Sequence, residues 1–355
     1  GTGNVGLGSG AFGTGLTTGT DNVAIGEAAG DALTTGSDNT LVGDNAGGAT
    51  TTGDNNVAIG SASGDAVTTG NLNTFVGSNA GSAASTVSDN TAIGAFAFDA
   101  GTGADNTAVG SGALGGASNS AANNTAIGKD AGNAISTSAH NVLIGHNSGA
   151  ALTTGGYNVA VGSLTLDAAT TAANNTGVGY AVLTVNSTGA NNTGLGYYAL
   201  VANTTGSGNV AVGHEALDAN STGGSNTAIG KSALTTNSTA SNNVAVGSSA
   251  LFSNTTGTTN TALGTVALYN NTTANNNTAV GYYSLSENST GAENTAVGAE
   301  SLEQVTTGNY NTAIGYRAGD SVTTGTYNVA MGRRALDAVT TNSFCVAIGS
   351  SALES

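Results

Sequence analysis

The sequence predicts an all-β chain, a parallel β-solenoid (β-roll) of about twenty-one 17-residue coils that occupies residues 1–355 as a single repeat array. Three observations predict it. One five-residue phrase returns at a nearly constant step, a glycine closes that phrase in every copy, and the residues between copies are strand and turn formers.

The phrase is Asn-Thr/Val-Ala-Val/Ile-Gly. It begins at Asn4, Asn22, Asn39 and Asn56 and runs onward to Asn328, with a last copy starting at Cys345. The step is seventeen residues, except for eighteen from Asn4 to Asn22, sixteen from Asn90 to Asn106 and eighteen from Asn106 to Asn124. With places numbered from the Asn, the unit reads N-[TV]-A-[VI]-G-x-x-[AS]-[GL]-x-x-x-[TS]-T-G-x-x, and the fifth place is glycine from Gly8 to Gly349. Helical solenoids need good helix formers at a period of about 3.6, and these units offer Gly, Thr, Asn and Val instead.

Composition narrows the classes further. Pro and Trp are absent, aromatics make up 5% and charged residues 7% of the chain, so bulky core formers are too few for a large globular core. Regularly placed Val, Ile and Thr argue against disorder. The formal charge of -16 rests on 21 acids against Lys129, Lys231, Arg317, Arg333 and Arg334, which excludes nucleic acid and anionic membrane surfaces as expected partners. No apolar run is long enough to span a bilayer, and a lone Cys345 rules out an intrachain disulfide framework.

Within the phrase, strand alternation puts the second and fourth side chains on one side and the third on the other. The fourth is always aliphatic or Met, as at Ile25, Val42, Ile59, Met331 and Ile348, which assigns that side to the coil interior. The third is Ala or Gly apart from Leu41, Phe75 and Leu143, so the other side is apolar as well and requires cover, which copies of the same chain could supply. The fifth-place Gly ends the strand at a corner with a left-handed or crowded backbone. A second turn follows at Thr-Thr-Gly, as in Thr34-Thr35-Gly36 and Thr323-Thr324-Gly325. Two or three short strands per coil, stacked at ~4.8 Å, give a rod on the order of 100 Å long, each coil supported mainly by its two neighbours.

The ninth and twelfth places exchange volume. Gly30, Gly64, Gly132, Gly149 and Gly319 stand with Leu33, Val67, Ile135, Leu152 and Val322, whereas Leu183, Leu200, Leu217, Leu234, Leu251, Leu268 and Leu285 stand with Asn three residues later. Both columns are expected to point inward and share one interior volume. Leu302 with Val305 and Leu336 with Val339 fill both places, and Gly47 with Thr50 and Gly81 with Ala84 fill neither.

Asn186, Asn203, Asn220, Asn237, Asn254, Asn271 and Asn288 recur at intervals of seventeen and form a second Asn column beside the one at the first place. In-register Asn side chains can hydrogen-bond along a stack. The alternative is N-glycosylation, since Asn186-Ser187-Thr188 and its six successors fit N-x-[ST].

No enzyme constellation is visible. His140, His146 and His214 lie at turn-like places in separate coils, Cys345 replaces an Asn, and the glycine-rich stretches carry no phosphate-binding Lys. No cofactor is expected, calcium being the one candidate: Glu303, Asp320 and Asp337 share one place in three successive coils, where like charges repel unless a cation intervenes. Tyr180, Tyr197 and Tyr198, with Tyr282 and Tyr283, are candidates for exposed patches that contact a glycan or surface.

The N-[TV]-A-[VI]-G-x-x-[AS] phrase closely resembles the head repeats of YadA-like trimeric autotransporter adhesins, and the longer unit with T-T-G looks like NTAVG-type repeat arrays of phage tail fibres and bacterial surface proteins. The resemblance covers Asn4 to Ser355. It implies a left-handed parallel β-roll, often trimeric, displayed on a cell or virion surface for attachment. The unit departs from the adhesin head in having seventeen residues rather than about fourteen, and no coiled-coil stalk, membrane anchor or chaperone-like C-terminal domain accompanies it.

The expected function is therefore that of a structural and adhesive extracellular rod: a fibre shaft, an adhesin head or a filament subunit, with copies of itself as partner and a host or environmental surface or glycan as target. Both ends fall inside the repeat, which favours end-to-end stacking as an alternative to a homotrimer. A glycan-binding phage tail fibre is one variant. An ice-binding solenoid is another, prompted by the Thr columns at the second, thirteenth and fourteenth places, although the expected inward turn of the second-place Thr counts against it.

Overall fold

The computed structural model describes residues 1–13, 15–116 and 119–354, so Ser355, the last residue of the final unit, lies outside the described residues. Its contacts divide into two compact units, Gly1–Asn175 and Thr176–Ser355. The first contains ten strands, from β1 (Val5–Leu7) and β2 (Val23–Ile25) to β10 (Val159–Val161). The second contains eleven, from β11 (Thr176–Val178) to β21 (Val346–Ile348). Each unit is a parallel β-solenoid.

Every strand is three residues long and begins at the second place of its repeat. Pairing is parallel and keeps like with like: Val23 faces Thr40, Ala24 faces Leu41 and Ile25 faces Val42. The register survives the irregular steps, since Thr91 still faces Thr107 and Thr107 still faces Thr125. The missing or extra residue is absorbed in the turns.

A coil contains one strand, not the two or three expected. The extended run stops because the seventh, ninth and seventeenth places turn left-handed, as at Ala28 (φ 51), Gly30 (φ 58) and Asp38 (φ 59). The turns nevertheless bond from coil to coil. Gly30 N donates to Ala46 O (3.0 Å) and Thr34 N to Thr51 O (3.0 Å), each one repeat on. Backbone groups outside the strands are thus satisfied by stacking.

The fifth-place glycine is required by that stacking. Gly26 has φ +140, and a Cβ there would lie 2.3 Å from the carbonyl oxygen of Gly43 in the next coil. No other residue tolerates both the backbone angle and the approach.

The strand faces are the reverse of the sequence expectation. The third place is buried, at Ala24, Leu41, Ala58 and Phe75, while the second and fourth places turn outward, with Ile25 38% and Leu263 46% exposed. The reason is volume. Ala29 and Leu33, at the eighth and twelfth places, already fill the narrow coil interior and form one core cluster with Ala24. What remains admits one small side chain from the strand rather than two β-branched columns.

The same limit orders the rest of the core. The ninth and twelfth places both point inward, as Leu183 with Asn186 and Leu33 opposite Gly30 show. The coils that left both places small are filled from a third position. Leu41 Cδ1 and Cδ2 lie 2.6 Å from where a Cβ on Gly30 or Gly47 would stand, and Phe75 lies 2.6 Å from such a Cβ on Gly81. Large third-place residues thus account for the small pairs Gly47 with Thr50 and Gly81 with Ala84.

Candidate functional site

The candidate surfaces are columns, because each place of the repeat recurs on the neighbouring coil. Two Asn columns run inside. At the first place, Asn22 Oδ1 accepts from both the backbone N (2.9 Å) and the Nδ2 (3.0 Å) of Asn39, whose Nδ2 also reaches Gly53 O (2.8 Å). At the twelfth place, Asn203 Nδ2 donates to Asn186 Oδ1 (2.9 Å) and to Gly206 O (3.0 Å). The pattern continues through Asn220, Asn237, Asn254 and Asn271 to Asn288. All seven twelfth-place Asn are 0% exposed, which closes their sequons to glycosylation in the folded chain. The thirteenth-place hydroxyl column, one of those that prompted the ice-binding reading, is tied from coil to coil: Thr34 Oγ1 donates to Thr51 O (2.9 Å) and Ser221 Oγ to Ser238 O (2.9 Å).

The acidic column is met by an internal cation. Arg317 reaches Asp320 Oδ2 through Nε and Nη2 (both 3.1 Å) and Glu300 Oε2 through Nε (3.3 Å). Burial raises the pKa of Glu303, and the Asp320 charge adds to it. Burial also raises that of Asp320, against the lowering effect of Arg317. Asp320 Oδ1 is buried without a partner. Glu303, Asp320 and Asp337 are neighbours in charge, yet among the described residues no three His, Cys, Asp or Glu side chains converge on a point that could hold a metal ion. No calcium chemistry is assigned to them.

The tyrosines form two separate patches. Tyr180 stacks on Tyr197 (ring centroids 5.5 Å), Tyr197 meets Tyr198 at 4.1 Å, and His214 extends the stack at 5.2 Å from Tyr197. Tyr282 and Tyr283 meet edge to face at 4.4 Å. Sequence reasoning missed the seventeenth-place column of Tyr310, Tyr327 and Phe344, stacked at 4.7 and 5.1 Å. Rings stacked coil on coil cover one another's faces and present edges, which removes most of the platform a sugar ring would use. The three histidines do not meet: His140 stacks on Tyr157, His146 lies near Asp167, and His214 approaches Glu215. Cys345 accepts the place of an Asn only through its backbone, whose N donates to Asn328 Oδ1 (2.9 Å).

A further candidate is the outward face of the strands within each unit. Its second-place column contains only Thr and Val and its fourth-place column only Val, Ile, Leu and Met, with no charge in any of the twenty-one units. Among the described residues no helix is long and apolar enough to cross a membrane. Compared with known proteins, the chain matches no family model and no curated sequence.

Proposed function

We propose that the chain is a structural and adhesive extracellular module, a part of a fibre shaft, adhesin head or filament, that associates with copies of itself. One observation carries this reading: the outward strand face is an uncharged double column of β-branched and aliphatic side chains, repeated on every coil. An apolar surface that continuous is a docking surface rather than scattered exposure. A second copy offers the same columns at the same spacing, so two faces interdigitate over many coils. Self-association therefore rests on the second and fourth places and not on the buried third.

Sedimentation of the full chain tests it. Wild type is expected as an oligomer, and the triple variant V246E, L263E, V280E as a monomer with the same far-ultraviolet circular dichroism. A monomeric wild type at all concentrations would overturn the reading.

The outward second-place Thr also favours an ice-binding surface, because the objection that these Thr turn inward no longer holds. Thermal hysteresis in dilute solution decides it. No depression of the freezing point removes this second reading.

A further inference from the structure

The sixth places of the second unit lie directly over one another, because the seventh-place N of each coil donates to the sixth-place O of the coil before it. Glu300 N reaches Tyr282 O (2.8 Å), Arg317 N reaches Ala299 O (3.0 Å) and Arg334 N reaches Tyr316 O (2.9 Å). Rings at this place follow the backbone. Tyr180, Tyr197 and His214, on three successive coils, form one stack with centroids 5.5 and 5.2 Å apart and planes within 16° of parallel. Rings at the seventeenth place behave in the same way, Tyr310, Tyr327 and Phe344 stacking at 4.7 and 5.1 Å.

Farther along the same column the sequence reads Tyr282, Ala299, Tyr316, so one ring of the stack is missing. Both tyrosines are exposed, by 53% and 43%. Tyr282 meets its chain neighbour Tyr283 at 4.4 Å and 63°, close to the 4.1 Å and 47° of Tyr197 with Tyr198. The backbone at the two corners also agrees, with φ 57 at Tyr198 and φ 54 at Tyr283. Tyr282 is thus seated as Tyr197 is, with a face toward the following coil. Two coil steps of ~4.8 Å set the walls of the gap ~10 Å apart. Its floor is the half-buried Ala299, and its rim carries Glu300 and Arg317, with Glu300 Oε2 3.3 Å from Arg317 Nε.

We propose that the gap between Tyr282 and Tyr316 over Ala299 binds one pyranose ring of a neutral, β-linked polysaccharide of the glucose configuration. Thickness selects a sugar. A flat aromatic ring touching both walls needs them only about 7–8 Å apart, twice a carbon contact of 3.5–4.0 Å. A saturated ring is puckered and carries C–H bonds on both faces, so it fills the wider gap and turns its hydrogens to the negative faces of the phenols. Contact on both faces further requires a ring without axial hydroxyls. The equatorial hydroxyls then point outward to the rim, where a carboxylate accepts and a guanidinium donates. Glu300 and Arg317 offset each other's charge, which suits a neutral ligand. The uninterrupted stack of Tyr180, Tyr197 and His214 offers no such gap. This site rests on the adhesive part of the function proposed above and is separate from the strand face that carries self-association.

The test is a saturation-transfer NMR titration of the full chain with cellotetraose, and with β-linked mannotetraose, whose rings each carry one axial hydroxyl, as control. Wild type is expected to bind cellotetraose with a dissociation constant on the order of 1 mM and the control several-fold more weakly. Ala299→Tyr supplies the missing ring and is expected to abolish binding with unchanged circular dichroism. Tyr316→Ala removes one wall and is expected to weaken binding roughly tenfold. Loss of binding both on adding a ring and on removing one is the signature of a gap rather than of exposed aromatic surface. No binding by wild type, A299Y binding as wild type does, or equal binding of the two sugars would overturn the proposal. A wild type that sediments as a monomer and still binds cellotetraose selectively would overturn self-association alone and support this site.

Discussion

At Asn288 the twelfth-place ladder runs out, because the next coil has Val305 at that place and Asn288 Oδ1 is left buried without a donor. A directional chain of side-chain amides always leaves one such acceptor at its end, so the location of a substitution matters more than its chemistry. Asn288→Val moves the end back by one coil and is expected to change stability little. Asn237→Val creates a second end at Asn220, and a buried unsatisfied acceptor costs about 1–3 kcal/mol. Thermal melts of the two variants should separate clearly, with N237V the lower. Thr50 is a simpler case: its Oγ1 is buried with no partner, so Thr50→Val keeps the shape, removes the stranded hydroxyl and is expected to stabilise by about 1 kcal/mol in the same measurement. None of this was legible residue by residue. The Asn columns themselves were visible as a period, but which oxygen ends unpaired depends on what the neighbouring coil places against it.

The coil is an element built around one corner. At Gly230, φ is +133 and a Cβ would stand 2.5 Å from the carbonyl oxygen of Gly247. Gly230→Ala is expected to destabilise by on the order of 3 kcal/mol, through backbone strain and the forced separation of two coils. Ser232, a buried corner residue with a small side chain already in the left-handed region, should accept Gly with little loss, and equal melting of G230A and S232G would contradict this distinction. The fifth-place corner could be read from the sequence because glycine is invariant there. The left-handed seventeenth place was also signalled, by Asp and Asn at Asp21, Asp38, Asn55 and Asp89, residues that tolerate this conformation better than most. The left-handed Leu at the ninth place, such as Leu217 (φ 54), carried no such signal, since burial of the side chain rather than backbone preference holds it.

For the molecule as a whole, charge sets the response to pH. Asp65, Asp167, Asp218, Glu303 and Asp320 all occupy the tenth place, and burial is the first cause that raises the pKa of each. A carboxyl group whose pKa is higher in the folded than in the unfolded chain contributes stability below its unfolded pKa and loses it as pH rises through the folded value. Glu354 alone shifts the other way, held down by a hydrogen bond from Ser351 and by Arg334. The melting temperature is therefore expected to rise as pH falls from neutral toward ~4, the ordinary carboxylate range, and protonation also relieves repulsion among the 21 acids. Melts across that range check it, and a steady fall in melting temperature would contradict the assignment. Since each coil leans mainly on its neighbours, the effect should follow the tenth-place acids and weaken when Asp218→Asn and Glu303→Gln are combined.

The sequence by itself determined the period, the parallel in-register stacking, the glycine corner and the inward columns at the ninth and twelfth places. Each of these follows from repetition, because like residues seventeen apart must meet like residues on the next coil. It could not decide which side of the strand faces inward. The third and fourth places are both apolar, and alternation distinguishes the two sides without naming them. Only the tertiary structure made that choice, on volume: a coil already filled from the eighth, ninth and twelfth places has room for Ala24 but not for Val23 and Ile25.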